Sequence, residues 1–183
     1  MPDSQDKTIC IHDRGREERL DFDDALAFHR GDARWGCAVA FRALQRAGQL
    51  LSKERPWDRQ TLHIRSGHPG PGVRDTIEFV THGIADNRFE LTHPGLECKC
   101  TSDLEYEWEI SDGKNMARVR LRDDFVPAEF FALLDRMEAK TDTHTDKIRL
   151  EQIKQALIEK IWREPLEHCF PDVSLEPVST GEK

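Results

Sequence analysis

The stretch "SGHPGPGVRDTIEFVTHG", residues 66–83, is the part of this chain that most needs explaining. Its first seven residues hold one histidine, two prolines and three glycines. An amphipathic helix pattern follows, with Val73, Ile77 and Val80 on one face. The preceding "TLHIRSG", residues 61–67, alternates apolar and polar side chains as a half-buried strand does. The stretch therefore predicts a strand, a Gly/Pro turn and a helix.

The turn between these two elements has two interpretations. Gly70 and Gly72 let a ligand approach the backbone, and the free N–H groups at the start of the helix favour an anionic or carbonyl-bearing ligand. Asp75 would orient that ligand or His68, whose imidazole can donate, accept or coordinate near neutral pH. Alternatively, the glycines and prolines only separate two elements, and Asp75 only complements the helix dipole. We predict the first, with Gly70, Gly72 and Asp75 as ligand-binding residues.

Two helices are predicted upstream of this turn. "LDFDDALAFHRGD", residues 20–32, has acidic residues in a first turn and is ended by Gly31. The longer "ARWGCAVAFRALQRAGQLLSKE", residues 33–54, carries an apolar stripe. His29 lies at the end of the first helix, where it either complements the helix C-terminus or serves as a ligand or an acid/base. We expect His29 and His68 to approach one another.

Downstream, the pattern changes to short strands and then to two more helices. Asp112-Gly113 is typical of a turn between two antiparallel strands. The predicted fold is therefore α+β, with a mixed, largely antiparallel sheet packed with helices. We divide the chain into an N-terminal segment (1–19), a single α+β domain (20–164) and a flexible C-terminal tail (165–183).

Charge and hydropathy exclude several classes of protein. The formal net charge is −8, and Lys and Arg are not concentrated anywhere, which disfavours nucleic acid as a partner. No apolar run approaches the ~20 residues of a membrane span, and the N-terminus is too polar for a signal peptide, so we expect a cytoplasmic protein. Nucleophile-elbow, phosphate-loop, dinucleotide and H-E-x-x-H motifs are all absent from the sequence.

The chain contains five unevenly spaced cysteines, which favours free thiols over a disulfide framework. In "LECKC", Cys98 and Cys100 face the same side if the segment is extended. They could supply half of a zinc site, completed by His68, His82 or His93, or they could be an idle pair. The candidate metal ligands are therefore His29, His68, Cys98 and Cys100, with zinc as the candidate cofactor.

The block "FDDALAFHRGDARWGCAVAFRALQRA" resembles the opening of the family named after the E component of formylmethanofuran dehydrogenase. Phe28-His29 matches the first pair of its F-H-G-H-x-C-P-G pattern, Gly36 the final glycine, and Phe41-Arg42 an aromatic-Arg pair. A second family pattern, C-x-x-D-A-[IV]-Q-x-[LV]-T-G-C, is similar to "GVRDTIEFVTHG". The segment "ISDGKNMARVRLRDDFVPAEFFALLDRM" is similar to the next one, so the resemblance covers about residues 20 to 138.

This resemblance implies a domain similar in architecture to the catalytic domain of glyceraldehyde-3-phosphate dehydrogenase. The family's thiol ligands are missing here: one falls in the "GDAR" stretch and another on Gly72. Its C-terminal zinc ribbon is replaced by a predicted helix at 147–163. The resemblance thus implies a divergent, cysteine-poor member, and it carries a metal role over only to His29 and Asp75.

Two functions are compatible with these observations. In the first, the protein binds a metal ion or a small anionic ligand at a pocket of His29, His68 and Asp75, with or without Cys98 and Cys100. In the second, it is a non-catalytic oligomeric interaction or assembly protein. For either function we predict a homodimer, because Ile158 and Trp162 widen the apolar stripe of the last helix beyond what one packing face needs.

Overall fold

A computed structural model describes residues 6–53, 56–94 and 104–178 of the chain. Within these ranges the strands are β1 (Thr8–Asp13), β2 (Arg16–Asp21), β3 (His63–Ser66), β4 (Phe89–Leu91), β5 (Glu107–Ser111), β6 (Asn115–Arg120) and β7 (Asp172–Pro177). The helices are α1 (Phe22–His29), α2 (Arg34–Leu51), α3 (Pro71–Thr81), α4 (Ala128–Glu138), α5 (His144–Arg163) and α6 (Leu166–Cys169), with a short 3₁₀ helix at Arg59–Thr61.

The strands form the mixed, largely antiparallel sheet that the sequence predicts. Five strands pair in the order β4-β3-β5-β6-β7. Only β3 and β4 run parallel, and the other three pairings are antiparallel. A separate hairpin is formed by β1 and β2. The α+β class is confirmed.

One face of the five-stranded sheet is buried, and the other carries charges. Ile64 on β3, Trp108 and Ile110 on β5, and Val119 on β6 point into the core. On the opposite face, ion pairs cross the strands. This alternation is typical of an antiparallel sheet with helices on one side.

The helix ends follow the local sequence. The Asp21 side chain accepts a hydrogen bond from the Asp23 N–H and so caps α1, with Asp23 and Asp24 in the first turn as predicted. Thr143 and Asp146 form a reciprocal capping box at the start of α5. Proline occupies the first position of α3, where its missing N–H costs nothing.

α2 lies at the centre of the core and packs against α3, α5 and β6. Trp162 of α5 packs its ring against Phe22 and Phe41, with ring centroids 4.8 Å and 6.2 Å apart. Ile158 also packs against this core. Ile158 and Trp162, whose side chains led us to predict a homodimer through α5, thus pack inside the chain. This reason for a dimer is therefore wrong. The homodimer itself stays a prediction.

Two segments contain more structure than the sequence predicts. The segment 1–19 includes β1 and most of β2, for which no strand is predicted. The tail 165–183, predicted to be flexible, includes α6 and β7, and β7 pairs with β6 along its whole length. Residues 166–169 and 172–177 thus adopt regular structure where the sequence predicts a flexible tail, because β7 gains backbone hydrogen bonds with β6 that its local sequence does not indicate.

The three cysteines that the structure describes lie in different surroundings. Cys10 is exposed on β1, whereas Cys37 and Cys169 are buried. The predicted ligands Cys98 and Cys100 lie outside the described residues. Among the described residues, no helix combines the length and the apolar character needed to cross a membrane.

Candidate functional site

A histidine–aspartate pair joins α1 to α3. His29, in the last turn of α1, donates from Nδ1 to Oδ2 of Asp75 in α3 at 2.7 Å. The imidazole is only 5% exposed, but the carboxylate is 42% exposed. One carboxylate oxygen is therefore fixed by a buried ring while the group stays open to solvent.

The second nitrogen of His29 is also engaged. The Ala33 N–H, at the start of α2, donates to Nε2 at 3.2 Å. A neutral ring with its proton on Nδ1 satisfies both bonds. A Cβ at Gly31 would lie 2.8 Å from Nε2, so the glycine makes room for the ring. His29, at the end of α1, thus links this helix to the start of α2 and to Asp75 of α3.

An aromatic pair lies next to the histidine–aspartate pair. Phe28 of α1 and Phe79 of α3 have ring centroids 5.8 Å apart. Asp75 and Phe79 are four residues apart on α3 and share a face of that helix. Phe28 is 48% exposed. We call the four residues Phe28, His29, Asp75 and Phe79 the α1–α3 seam.

His68, the other predicted histidine ligand, lies in a different environment. It is buried, and its Nδ1 accepts a hydrogen bond from the Gly70 N–H at 3.0 Å. Its ring meets that of Tyr106 edge to face, with centroids 4.9 Å apart. Burial lowers the pKa of His68 from its ordinary 6.5 to about 4, because the charged form is poorly solvated there.

His29 and His68 therefore belong to separate sets of contacts. His29 faces Asp75 and Ala33, and His68 faces Gly70 and Tyr106. In the part of the chain that the structure describes, no hydrogen bond or ring contact joins the two histidines. Of the predicted pocket of His29, His68 and Asp75, the structure brings together only His29 and Asp75. His68 lies outside it.

The glycines of the turn pack against protein atoms. A Cβ at Gly72 would overlap the carbonyl oxygen of Ala33, and one at Gly70 would lie 2.6 Å from the His68 ring. The packing of α3 against the start of α2 thus accounts for glycine at 72, and the position of the His68 ring accounts for glycine at 70. Their predicted role as ligand-binding residues stays a prediction.

Behind the seam, α2 and α3 enclose a thiol. Burial raises the pKa of Cys37 to about 11, and the charge of Asp75 contributes in the same direction. The hydroxyl of Thr76 is buried beside this thiol and partly opposes the rise in its pKa. Cys37 is therefore a protonated core thiol at neutral pH and not a nucleophile.

The described residues do not contain a complete metal site. No group of three or more His, Cys, Asp or Glu side chains within them is placed to hold a metal ion. His93 instead pairs with Glu105 at 3.2 Å, and His82 ends α3. Zinc bound by His29, His68, Cys98 and Cys100 stays a prediction, since half of that set lies outside the described residues.

The sequence does not predict Phe28 and Phe79, the two aromatic residues of the seam, as site residues. Phe28 directly precedes His29, and Phe79 lies one helical turn after Asp75. The i to i+4 spacing on α3 could have indicated Phe79. Nothing in the sequence indicates that the exposed ring of Phe28 meets it. Comparisons of the sequence with protein-family models and with curated proteins find no match.

Proposed function

We propose that this chain is a metal-binding protein, similar to the family of the formylmethanofuran dehydrogenase E component, and that it binds a divalent metal ion at the α1–α3 seam. Asp75 supplies a carboxylate ligand, and His29 orients it. The observation that carries this proposal is the bond from His29 Nδ1 to Asp75 Oδ2, which leaves the carboxylate accessible.

Of the two predicted ligand classes, a metal ion and a small anion, the geometry supports the metal ion. An exposed carboxylate attracts cations and repels anions. The backbone around Gly70 and Gly72, where an anion is predicted to bind, is packed against Ala33 and His68. A hard carboxylate oxygen is a ligand for magnesium, manganese or zinc.

His29 acts through Asp75 in this proposal. Its Nε2 accepts the Ala33 N–H, so direct coordination by that nitrogen would break a bond at the start of α2. A neighbour that fixes a metal-binding carboxylate contributes about 10- to 100-fold to metal affinity. Cys98 and Cys100 are the further ligands predicted from the sequence, and with them the set would favour zinc.

Metal analysis of protein purified without a histidine tag tests the proposal. We expect bound metal in the wild type, its loss in Asp75→Asn, and a roughly 10- to 100-fold weaker affinity in His29→Asn. Asp124→Asn, which changes an aspartate that is 82% exposed and paired with Arg122, is the matched control and should keep the metal.

The double variant Cys98→Ser/Cys100→Ser separates the two parts of the ligand set. Loss of metal in this variant would assign the thiols as ligands, and retention would restrict the site to the seam. A wild type that binds none of the three ions, or an Asp75→Asn variant with unchanged metal content, would contradict the proposal.

A further inference from the structure

β7 is the last strand in the sheet order, and no strand of the described residues pairs with its outer edge. The Val178 N–H donates to the Lys114 carbonyl at 2.8 Å, which continues the pairing with β6. Because backbone groups alternate along a strand, even-numbered residues of β7 direct their N–H and C=O toward β6 and odd-numbered ones direct them away. Val173, Leu175 and Pro177 thus present their backbone groups to the outside.

This edge is also apolar. Leu175 is 40% exposed and Val178 is 37% exposed, two of the few large apolar side chains of the described residues that are so accessible. Leu175 stands on the sheet face that carries the core, opposite Ala117 of β6. The helical layer therefore does not extend over the end of β7. Within the described residues, no backbone hydrogen bond engages the outward N–H of Val173 or Leu175.

We propose that β7 pairs antiparallel with β7 of a second copy of this chain, about a two-fold axis at Leu175. The two five-stranded sheets would then form one continuous ten-stranded sheet. An exposed strand edge is a template for such pairing, and a two-fold dimer is the commonest closed assembly. The inference does not depend on the proposed metal site.

The hydrogen-bonding groups of β7 match this arrangement. With Leu175 opposite its own copy, the two leucines exchange both backbone hydrogen bonds. The Val173 N–H meets the Pro177 carbonyl of the second copy. Pro177 has no N–H to offer, and in this register it needs only to accept. All outward N–H groups of the strand find an acceptor.

Charge favours this register over the alternative with Ser174 on the two-fold axis. In the chosen register, Ser174 lies opposite Glu176 of the second copy, and Leu175 packs beside Leu175. With Ser174 on the axis instead, Asp172 would lie directly opposite Glu176 of the second copy. Like charges directly opposite one another destabilise a strand pair. The dimer with Leu175 on the axis avoids this repulsion.

The expected dimer is reversible, because one strand pair buries less surface than a standard interface. Sedimentation of the full chain should show its 21.2 kDa mass when dilute and twice that mass at about 100 µM, a range suited to a weak interface. Leu175→Pro removes one outward N–H without touching the pairing with β6, and it should abolish the dimer.

Leu175→Lys is the second variant, and it should also give a monomer with an unchanged melting temperature. Ile148→Lys, at an exposed isoleucine of α5, is the matched control and should leave the dimer intact. A monomer at every concentration, or a dimer that persists in both Leu175 variants, would overturn the proposal.

Disulfide crosslinking with an added oxidant tests the register. Opposite Leu175 positions would lie about 5.5 Å apart between Cα atoms, within the range of a disulfide. Leu175→Cys should therefore crosslink, as read by peptide mapping without reduction, and Ser174→Cys should not. Crosslinking through Ser174→Cys alone would contradict the register.

Discussion

At the scale of single residues, two histidines of similar local sequence have different chemistry. Each precedes a glycine by two positions, and each fills the space that the glycine's missing Cβ leaves open. His29 donates to a half-open carboxylate, whereas His68 is enclosed beside Tyr106. What surrounds the ring, and not the local motif, separates a candidate site residue from a structural one.

The buried His68 should make the protein sensitive to mild acid. Its pKa falls from 6.5 to about 4 on folding, so between these values the unfolded chain binds the proton more tightly. The part of the stability that depends on neutral His68 is then fully present above pH 6.5 and is lost as the pH falls toward 4. Each factor of ten in proton affinity is worth about 1.4 kcal/mol, so the loss amounts to about 3 kcal/mol.

Urea unfolding at a series of pH values measures this dependence. His68→Asn keeps an acceptor near the Gly70 N–H but has no proton to bind, so it should be less stable at pH 7 and should lack this part of the pH dependence. The prediction fails if wild type and variant lose the same free energy of unfolding between pH 6.5 and 4.

The sequence predicts both His29 and Asp75 as site residues, and the structure places their side chains in contact. It cannot distinguish His68 from His29, because burial of the turn depends on Tyr106, a residue 38 positions further along the chain. Local pattern therefore selects the residue types of the site, while the long-range packing of the chain decides which of them meet.

At the scale of elements, the crossing of α2 and α3 positions the seam. Gly72 lies against Ala33 and Cys37, and Gly36 lies against the backbone at Val73. The missing side chains allow the two helices to approach closely, which sets the position of Asp75 relative to His29. The glycines that the sequence marks as a ligand-binding turn thus serve first as packing residues.

Gly72→Ala should destabilise the protein by about 1–3 kcal/mol or more, because the new methyl group must displace the Ala33 backbone. Gly48→Ala, within α2, is the control: its Cβ would make an ordinary 3.4 Å contact with Trp57, and the gain in helix propensity is about 1 kcal/mol. Thermal and urea unfolding measure both. Equal effects of the two substitutions would contradict close packing at Gly72.

Helices α1 to α5 are predictable because each carries an apolar stripe, and the hairpin of β5 and β6 is predictable from Asp112-Gly113, where the Asp112 carboxylate caps the turn. The strands β2 and β7, "REERLD" and "DVSLEP", are not. The exposed positions of β2 are all charged, and those of β7 are Asp172, Leu175, Glu176 and Pro177, so the alternation of apolar and polar side chains is weak in both strands. Their pairing with β1 and β6 stabilises them, and that pairing is not visible in the local sequence.

At the scale of the whole molecule, one buried arginine joins the first half of the chain to the last. Arg42 of α2 donates to the carbonyls of Ile161 at 3.1 Å and Glu164 at 2.7 Å, at the end of α5. Its guanidinium also lies over the Trp162 ring. Burial lowers the pKa of Arg42, but the group remains charged at every pH of interest.

Arg42→Met should cost about 2–4 kcal/mol, because it leaves two carbonyls at the end of α5 without their donor. Arg149→Met is the control: that arginine is 50% exposed in its pair with Glu129, and its loss should cost much less than the loss of Arg42. The free energy of unfolding in urea distinguishes the two. A small effect at Arg42 would show that water replaces the guanidinium.

The placement of the cysteines determines which thiols of the folded protein can react with oxidants. Cys10 stands in solvent on β1, whereas Cys37 and Cys169 lie in the core with their pKa values raised by burial. Of the three cysteines that the structure describes, Cys10 is therefore the one that oxidants and alkylating agents reach first in the folded protein. For Cys37 and Cys169, the helices must separate before the sulfur can react. The extent to which Cys37 and Cys169 are covalently modified thus reports how often the core opens.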